Sequence, residues 1–304
     1  MVKQDYIHTD RNGYKLRVVA LEPNKPERIL LIPPLVGATG SLAIRTFRYF
    51  FRKGCTLMSF DYCGHYHDID NKFTVNGTFT DTEVALAHAS DQAKKAKIPL
   101  HTVGVCYGLI PLVHVLNKSG WPREVCSMFS VSGLLNMDDL LNFDNYRAHL
   151  SKRGMSFKSK SEFIDYMSSN KKETINRKQV FVSALTEYLM KIFAELSEII
   201  SDDRFGVLEY SRAEFYESFY EFATVTLPKI VTPSYFPCLF FTGVFDTVFN
   251  LQTQANKDKY LKQIKTIVPH AKICNIKIDH FGRGEDHYII GQEGMKFLRK
   301  NEKV

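Results

Sequence analysis

Gly104-Val105-Cys106-Tyr107-Gly108 is the stretch on which the reading of this chain turns. It closes an apolar run over residues 98–105 and opens a second, helix-like apolar run over residues 109–118. A strand, then Gly-x-nucleophile-x-Gly, then a helix is the pattern of a nucleophile elbow. The turn strains its central residue, so both flanking positions must be small. The central side chain then projects from the top of a parallel sheet, with a helix N-terminus beneath it. Cysteine stands here where most such turns carry serine. A thiol at a helix N-terminus beside a histidine ionises readily, because the dipole and the partner both favour the anion. Cysteine is also among the most buried residue types, so a core role is the competing explanation. The order of the remaining segments favours the nucleophile.

Working outward, short apolar runs alternate with helical patterns at the spacing of βαβ units, which implies a parallel sheet flanked by helices. Strands are expected over 28–33, 55–60, 124–131, 237–243 and 271–278. A helix is expected from Ser41, with Ile44, Phe47 and Phe51 on one face and Gly54 as its stop. Another spans 80–97, begun by Asp81 and Thr82, and others cover about 252–268 and 289–300. The stretch 135–234 breaks this alternation. It holds two helical pieces, over 180–200 and 213–227, and no convincing strand. Such an insertion reads as a helical cap on the core. Its dense aromatics, among them Phe181, Tyr188, Phe215 and Phe219, suit packing of the cap on the core. The sharper alternative is a tunnel for an acyl chain, since ligand pockets are mostly apolar.

A cysteine nucleophile needs a base within reach and an acid to orient the base. Elbow enzymes keep the chain order nucleophile, acid, histidine. Asp246 follows the strand over 237–243, where the acid belongs. Two histidines compete for the base. His280 directly follows the last strand, and His287 immediately precedes the final helix. A loop-borne histidine leading into that helix can reach across to the elbow, which favours His287 over His280. The oxyanion hole is expected from the backbone N–H of Tyr107 and one from the loop after the first buried strand. Pro33 and Pro34 have no N–H to give, so Leu35 is the first available donor and Val36 the second.

Composition narrows the partners. The chain has 304 residues and a formal charge of +7, ample for one large α/β domain with an insertion. No run approaches the roughly 18 consecutive apolar residues of a membrane span, and the first residues carry no apolar signal core. Six scattered cysteines without a CxxC pair suit a reducing cytoplasm rather than a disulfide framework. Basic residues crowd the segment 152–178. A solvated face explains them, and a docking patch for coenzyme A or an acidic carrier protein is the functional alternative. No base-stacking platform accompanies them, so nucleic acid is not expected. Cys63, His65, His67 and Asp68 share one loop with no distant second pair, which argues against a metal. No cofactor is expected.

Leu30-Leu-Ile-Pro-Pro-Leu35, Gly104-Val-Cys-Tyr-Gly108, Gly243-Val-Phe-Asp246 and Asp286-His287 occur in that order. Over nearly its whole length the chain resembles the α/β-hydrolase superfamily. Within it, these segments resemble the cysteine-nucleophile branch of polyhydroxyalkanoate synthases. Those enzymes act on hydroxyacyl-coenzyme A through a Cys-His-Asp triad, and the resemblance implies those roles for Cys106, His287 and Asp246. Dienelactone hydrolase also places a cysteine in such an elbow, but it is smaller and has no long cap. Here Leu109 follows Gly108 where the synthases usually carry a second glycine, and Asp286 precedes His287 where they usually carry glycine. The chain is also short for a synthase. Only the triad and the thioester chemistry carry over, without polymerisation. The expected fold is a mostly parallel sheet flanked by helices, with a core over 1–134 and 235–304 and a cap over 135–234. The expected activity is acyl transfer from an acyl thioester, on coenzyme A or an acyl-carrier protein, to water or to an alcohol or amine. An ester or lactone hydrolase that does not use thioesters, and a non-catalytic binding protein on the same scaffold, are the alternatives.

Overall fold

A computed structural model describes residues 2–8, 15–35, 38–64, 74–118, 125–135, 151, 156–159, 162, 236–246, 251, 253–279, 282 and 284–302. The expected helical pieces over 180–200 and 213–227 lie outside the described residues, as does most of the segment 135–234.

Eight strands form one sheet in the order β1-β2-β4-β3-β5-β6-β7-β8. They are β1 (Val2–His8), β2 (Lys15–Leu21), β3 (Arg28–Leu31), β4 (Cys55–Phe60), β5 (Leu100–Val105), β6 (Val125–Val131), β7 (Cys238–Gly243) and β8 (Lys272–Ile276). From β4 to β8 every neighbouring pair is parallel. β1 and β2 are an antiparallel pair attached to the edge of β4, and the apolar runs did not announce them. β2 carries Arg17 inside the run, and β1 mixes Lys3, Gln4 and Asp5 with its apolar residues.

The interior strands are buried on both faces, as continuous Val, Leu, Ile and Phe runs require in a parallel sheet. Successive side chains point to opposite faces and divide the core in two. Leu31, Met58, Met128 and Phe240 pack toward α3 (Val75–Ala96), α4 (Leu109–Asn117) and α5 (Gln254–Ile267). Leu30, Leu57, Phe129 and Phe241 pack toward α1 (Gly40–Thr46), α2 (Arg48–Phe51) and α6 (His287–Lys300).

The starts of α3 and α1 lie earlier than expected, each because a better cap lies upstream. Thr74 accepts a hydrogen bond from Gly77 N–H and begins α3 at Val75. Asp81 and Thr82 are buried inside that helix rather than capping it. Thr39 caps α1 through Leu42 N–H, and the helix yields to α2 at Phe47. Thr253 caps α5.

This topology decides where a site can form. From β3 the chain steps outward to β4 on one side and to β5 on the other. The loops leaving β3 and β5 therefore diverge from neighbouring strand ends. Such a switch point opens a crevice at the carboxyl edge of a parallel sheet.

Candidate active site

Cys106 occupies that edge. β5 ends at Val105, residues Cys106–Gly108 make one 3-10 turn, and α4 begins at Leu109. Cys106 has φ +46°, a left-handed conformation costing a non-glycine residue about 1–2 kcal/mol. The flanking glycines are sterically required. A Cβ on Gly104 would lie 2.5 Å from Leu109 Cδ1 and 2.9 Å from Leu109 Cα. One on Gly108 would lie 2.7 Å from the Pro33 carbonyl oxygen and 3.1 Å from that of Pro34. The spacing Gly-x-Cys-x-Gly is thus the footprint of a strand turning into a helix against the loop that leaves β3. Leu134 N–H donates to the Cys106 carbonyl at 2.8 Å, which ties the loop after β6 to the same turn. Cys55, Cys63, Cys126 and Cys238 are buried, whereas Cys106 is half-buried, as is Cys274 on the edge strand.

Tyr107 points the other way. Its ring is fully buried, its hydroxyl shares a 2.7 Å hydrogen bond with Thr78 Oγ1 on α3, and Tyr62 packs against it edge-on. Burial pushes the phenol well up, so it stays a neutral O–H. The side chain is an anchor beneath the turn, leaving its backbone N–H as the feature of chemical interest. Leu35 is half-buried, and its carbonyl accepts Ala38 N–H at 3.1 Å. Val36 lies outside the described residues.

Asp246 is completely buried at the carboxyl end of β7. Its N–H donates to the Gly243 carbonyl, and its own carbonyl accepts Leu251 N–H at 2.9 Å. Gly243 cannot bear a side chain, since a Cβ would lie 2.5 Å from the Ile278 carbonyl oxygen. The turn carrying Asp246 is therefore pressed onto the segment that leaves β8.

His287 is the first residue of α6 and is exposed. Its Nδ1 lies 2.9 Å from the Gly284 carbonyl. A carbonyl only accepts, so Nδ1 carries the proton and, in the neutral ring, Nε2 keeps its lone pair. The ring lines a cavity of about 300 Å³ whose walls include Val105, Val131, Phe47, Tyr49 and Tyr288. Val105 immediately precedes Cys106, which itself packs against the α3 and α4 side of the core. His287 thus shares a cavity with the residue beside the nucleophile, on the face of the sheet opposite to the one Cys106 packs against. His280 lies outside the described residues. Gly282 N–H donates to the Asp279 carbonyl at 3.1 Å, with Gly282 at φ +78°. Of Cys63, His65, His67 and Asp68, only Cys63 is described.

Solved structures with this architecture span several chemistries. An esterase from Thermogutta terrifontis matches with a TM-score of 0.59 and 13% identity over 99% of this chain and 100% of the other. The Pyrococcus furiosus esterase Pf2001 matches with a TM-score of 0.57 and 13% identity, over 99% and 91% of the two chains. A bromoperoxidase from Bacillus anthracis gives 0.55 and 11%, over 98% and 100%. The chain has the α/β-hydrolase fold. No family model matches the sequence, and no curated protein sequence matches it significantly. Among the described residues, no helix of this α/β-hydrolase-fold protein is long and apolar enough to cross a membrane.

Proposed function

We propose that this protein is an acyl-transfer enzyme that carries its acyl group on Cys106. One observation carries the proposal: a half-buried cysteine at φ +46° on the strand–turn–helix junction at the switch point of the sheet. Strain of this kind persists where surrounding structure enforces it, and it clusters at reactive positions. Cys106 Sγ attacks the carbonyl carbon of an acyl thioester of coenzyme A or an acyl-carrier protein. The carbonyl π electrons move onto oxygen, which the N–H groups of Tyr107 and Leu35 receive. The intermediate collapses by breaking the bond to the departing sulfur, which leaves as a thiol with the proton that the base took from Cys106. An incoming water, alcohol or amine repeats the cycle and releases the acyl group. His287 serves as the base with Asp246 as its orienting acid; His280 is the alternative base. Exchange of one thioester for another is nearly isoenergetic, which is why a thiol nucleophile suits such donors.

The esterases among the structural neighbours favour a second reading, hydrolysis of oxygen esters. Intact-mass spectrometry separates the two. Incubation with acyl-coenzyme A thioesters of graded chain length is expected to add one acyl mass to the native protein and none to Cys106→Ala. Turnover of oxygen esters without any thioester adduct would support the second reading. Inertness toward every activated acyl donor would leave only the non-catalytic scaffold.

A further inference from the structure

We propose that Asp61 and Arg17 are a positioning pair that holds the loop leaving β3 where an oxyanion donor is needed; this rests on the acyl-transfer reading above. Asp61 follows the last residue of β4 and is only 2% exposed. Its Oδ2 accepts from Arg17 Nη1 at 2.7 Å, and its Oδ1 accepts the backbone N–H of Gly40 at 2.7 Å. Asp61 N–H in turn donates to the Arg17 carbonyl. Arg17 lies on the antiparallel strand β2, almost as buried as its partner.

The geometry around Gly40 shows why this matters for the site. A Cβ there would lie 2.8 Å from both the N and the O of Phe60, so the loop's exit is pressed onto the backbone of β4. The loop's entry is pressed onto the elbow, through the Pro33 and Pro34 carbonyls against Gly108. Leu35, the expected donor, sits between these two clamps. A buried ion pair is a poor device for stability alone, because apolar residues of similar volume serve as well. What the carboxylate supplies, and an apolar side chain cannot, is an acceptor for the buried Gly40 N–H. Arg17 keeps that carboxylate oriented by occupying its other oxygen. The antiparallel β2 thereby contributes to the carboxyl edge of a sheet whose parallel strands carry the candidate nucleophile.

Two double variants test this without stranding a buried charge. Arg17→Met with Asp61→Ala removes the acceptor, and Arg17→Met with Asp61→Asn retains a carbonyl oxygen for Gly40. Acylation of Cys106 by an acyl-coenzyme A passes through an oxyanion, whereas alkylation by iodoacetamide does not. The Met/Ala pair is expected to slow acylation by roughly 10²-fold, the scale of a misplaced catalytic group, and to leave alkylation within about twofold. The Met/Asn pair is expected to recover most of the acylation rate. Native acylation in the Met/Ala pair would overturn the proposal, as would equal loss of acylation and alkylation. If the native protein is alkylated but never acylated, the acyl-transfer reading itself fails, and the positioning role with it. Hydrogen exchange on the native protein decides the case should the variants not fold: slow exchange of the Gly40 amide is expected, and fast exchange overturns the anchor.

Discussion

Cys106 adopts a backbone conformation that its side chain opposes, and that opposition is measurable. Glycine reaches φ +46° without a Cβ penalty, so Cys106→Gly should be more stable than Cys106→Ala by about 1 kcal/mol in urea denaturation. Equal stability, or a less stable glycine variant, would show that the turn is unstrained. Neither variant should form an acyl adduct. The two histidines give a second prediction at this scale. His287→Ala should slow acylation of Cys106 by about 10²–10⁴-fold, the usual contribution of a positioned base, while His280→Ala should not. The reverse outcome, read from single-turnover acylation rates, would move the base to His280. His287 lines its cavity from the α6 side together with Val105, the residue before Cys106. The spacing of the elbow was legible in the sequence because steric contacts at Gly104 and Gly108 permit little else. The base was not, because two histidines fit the same position in chain order.

At the scale of elements, α6 lies against α2 through small residues. A Cβ on Gly294 would meet Phe50 Cζ at 2.8 Å, and Phe50 is itself buried and stacked on Phe129. Gly→Ala in an exposed helix gains up to about 1 kcal/mol, but here the added methyl must displace a packed ring. Gly294→Ala should therefore destabilise the protein by about 1–3 kcal/mol, the usual range for overpacking. A urea midpoint above that of the native protein would show that α6 has room to shift. The interior strands were readable as apolar runs because both of their faces are buried. β2 was not, since Arg17 interrupts its run for a partner, Asp61, that lies on a different strand end. The start of α3 was misplaced for a local reason. Asp81 resembles a cap in sequence, yet inside the fold its Oδ2 accepts Cys63 N–H at 2.9 Å.

Across the whole molecule, the sheet buries a titratable group that the chemistry does not use. His101 on β5 is fully buried, with Nδ1 sharing a 2.8 Å hydrogen bond with Ser127 Oγ on β6. Burial, reinforced by the Arg28 charge, lowers it from 6.5 to about 3. The folded protein therefore holds this ring neutral where the unfolded chain protonates it. Stability from this source is complete above about pH 6.5 and is lost as the pH falls toward about 3, at up to about 1.4 kcal/mol per pH unit. His101→Asn should flatten that dependence in urea titrations across this range, and an unchanged slope would contradict it. The same sheet sets the elbow, the loop after β3 and Asp246 along one carboxyl edge, which follows from strand order rather than from any single motif. The most direct test of the account is to locate the acyl group. After brief reaction with an acyl-coenzyme A and an acid quench, peptide mapping should place the acyl mass on Cys106 and leave Cys55, Cys63, Cys126, Cys238 and Cys274 unmodified. Acylation of Cys274 in its place, or of no cysteine while substrate is consumed, would contradict it.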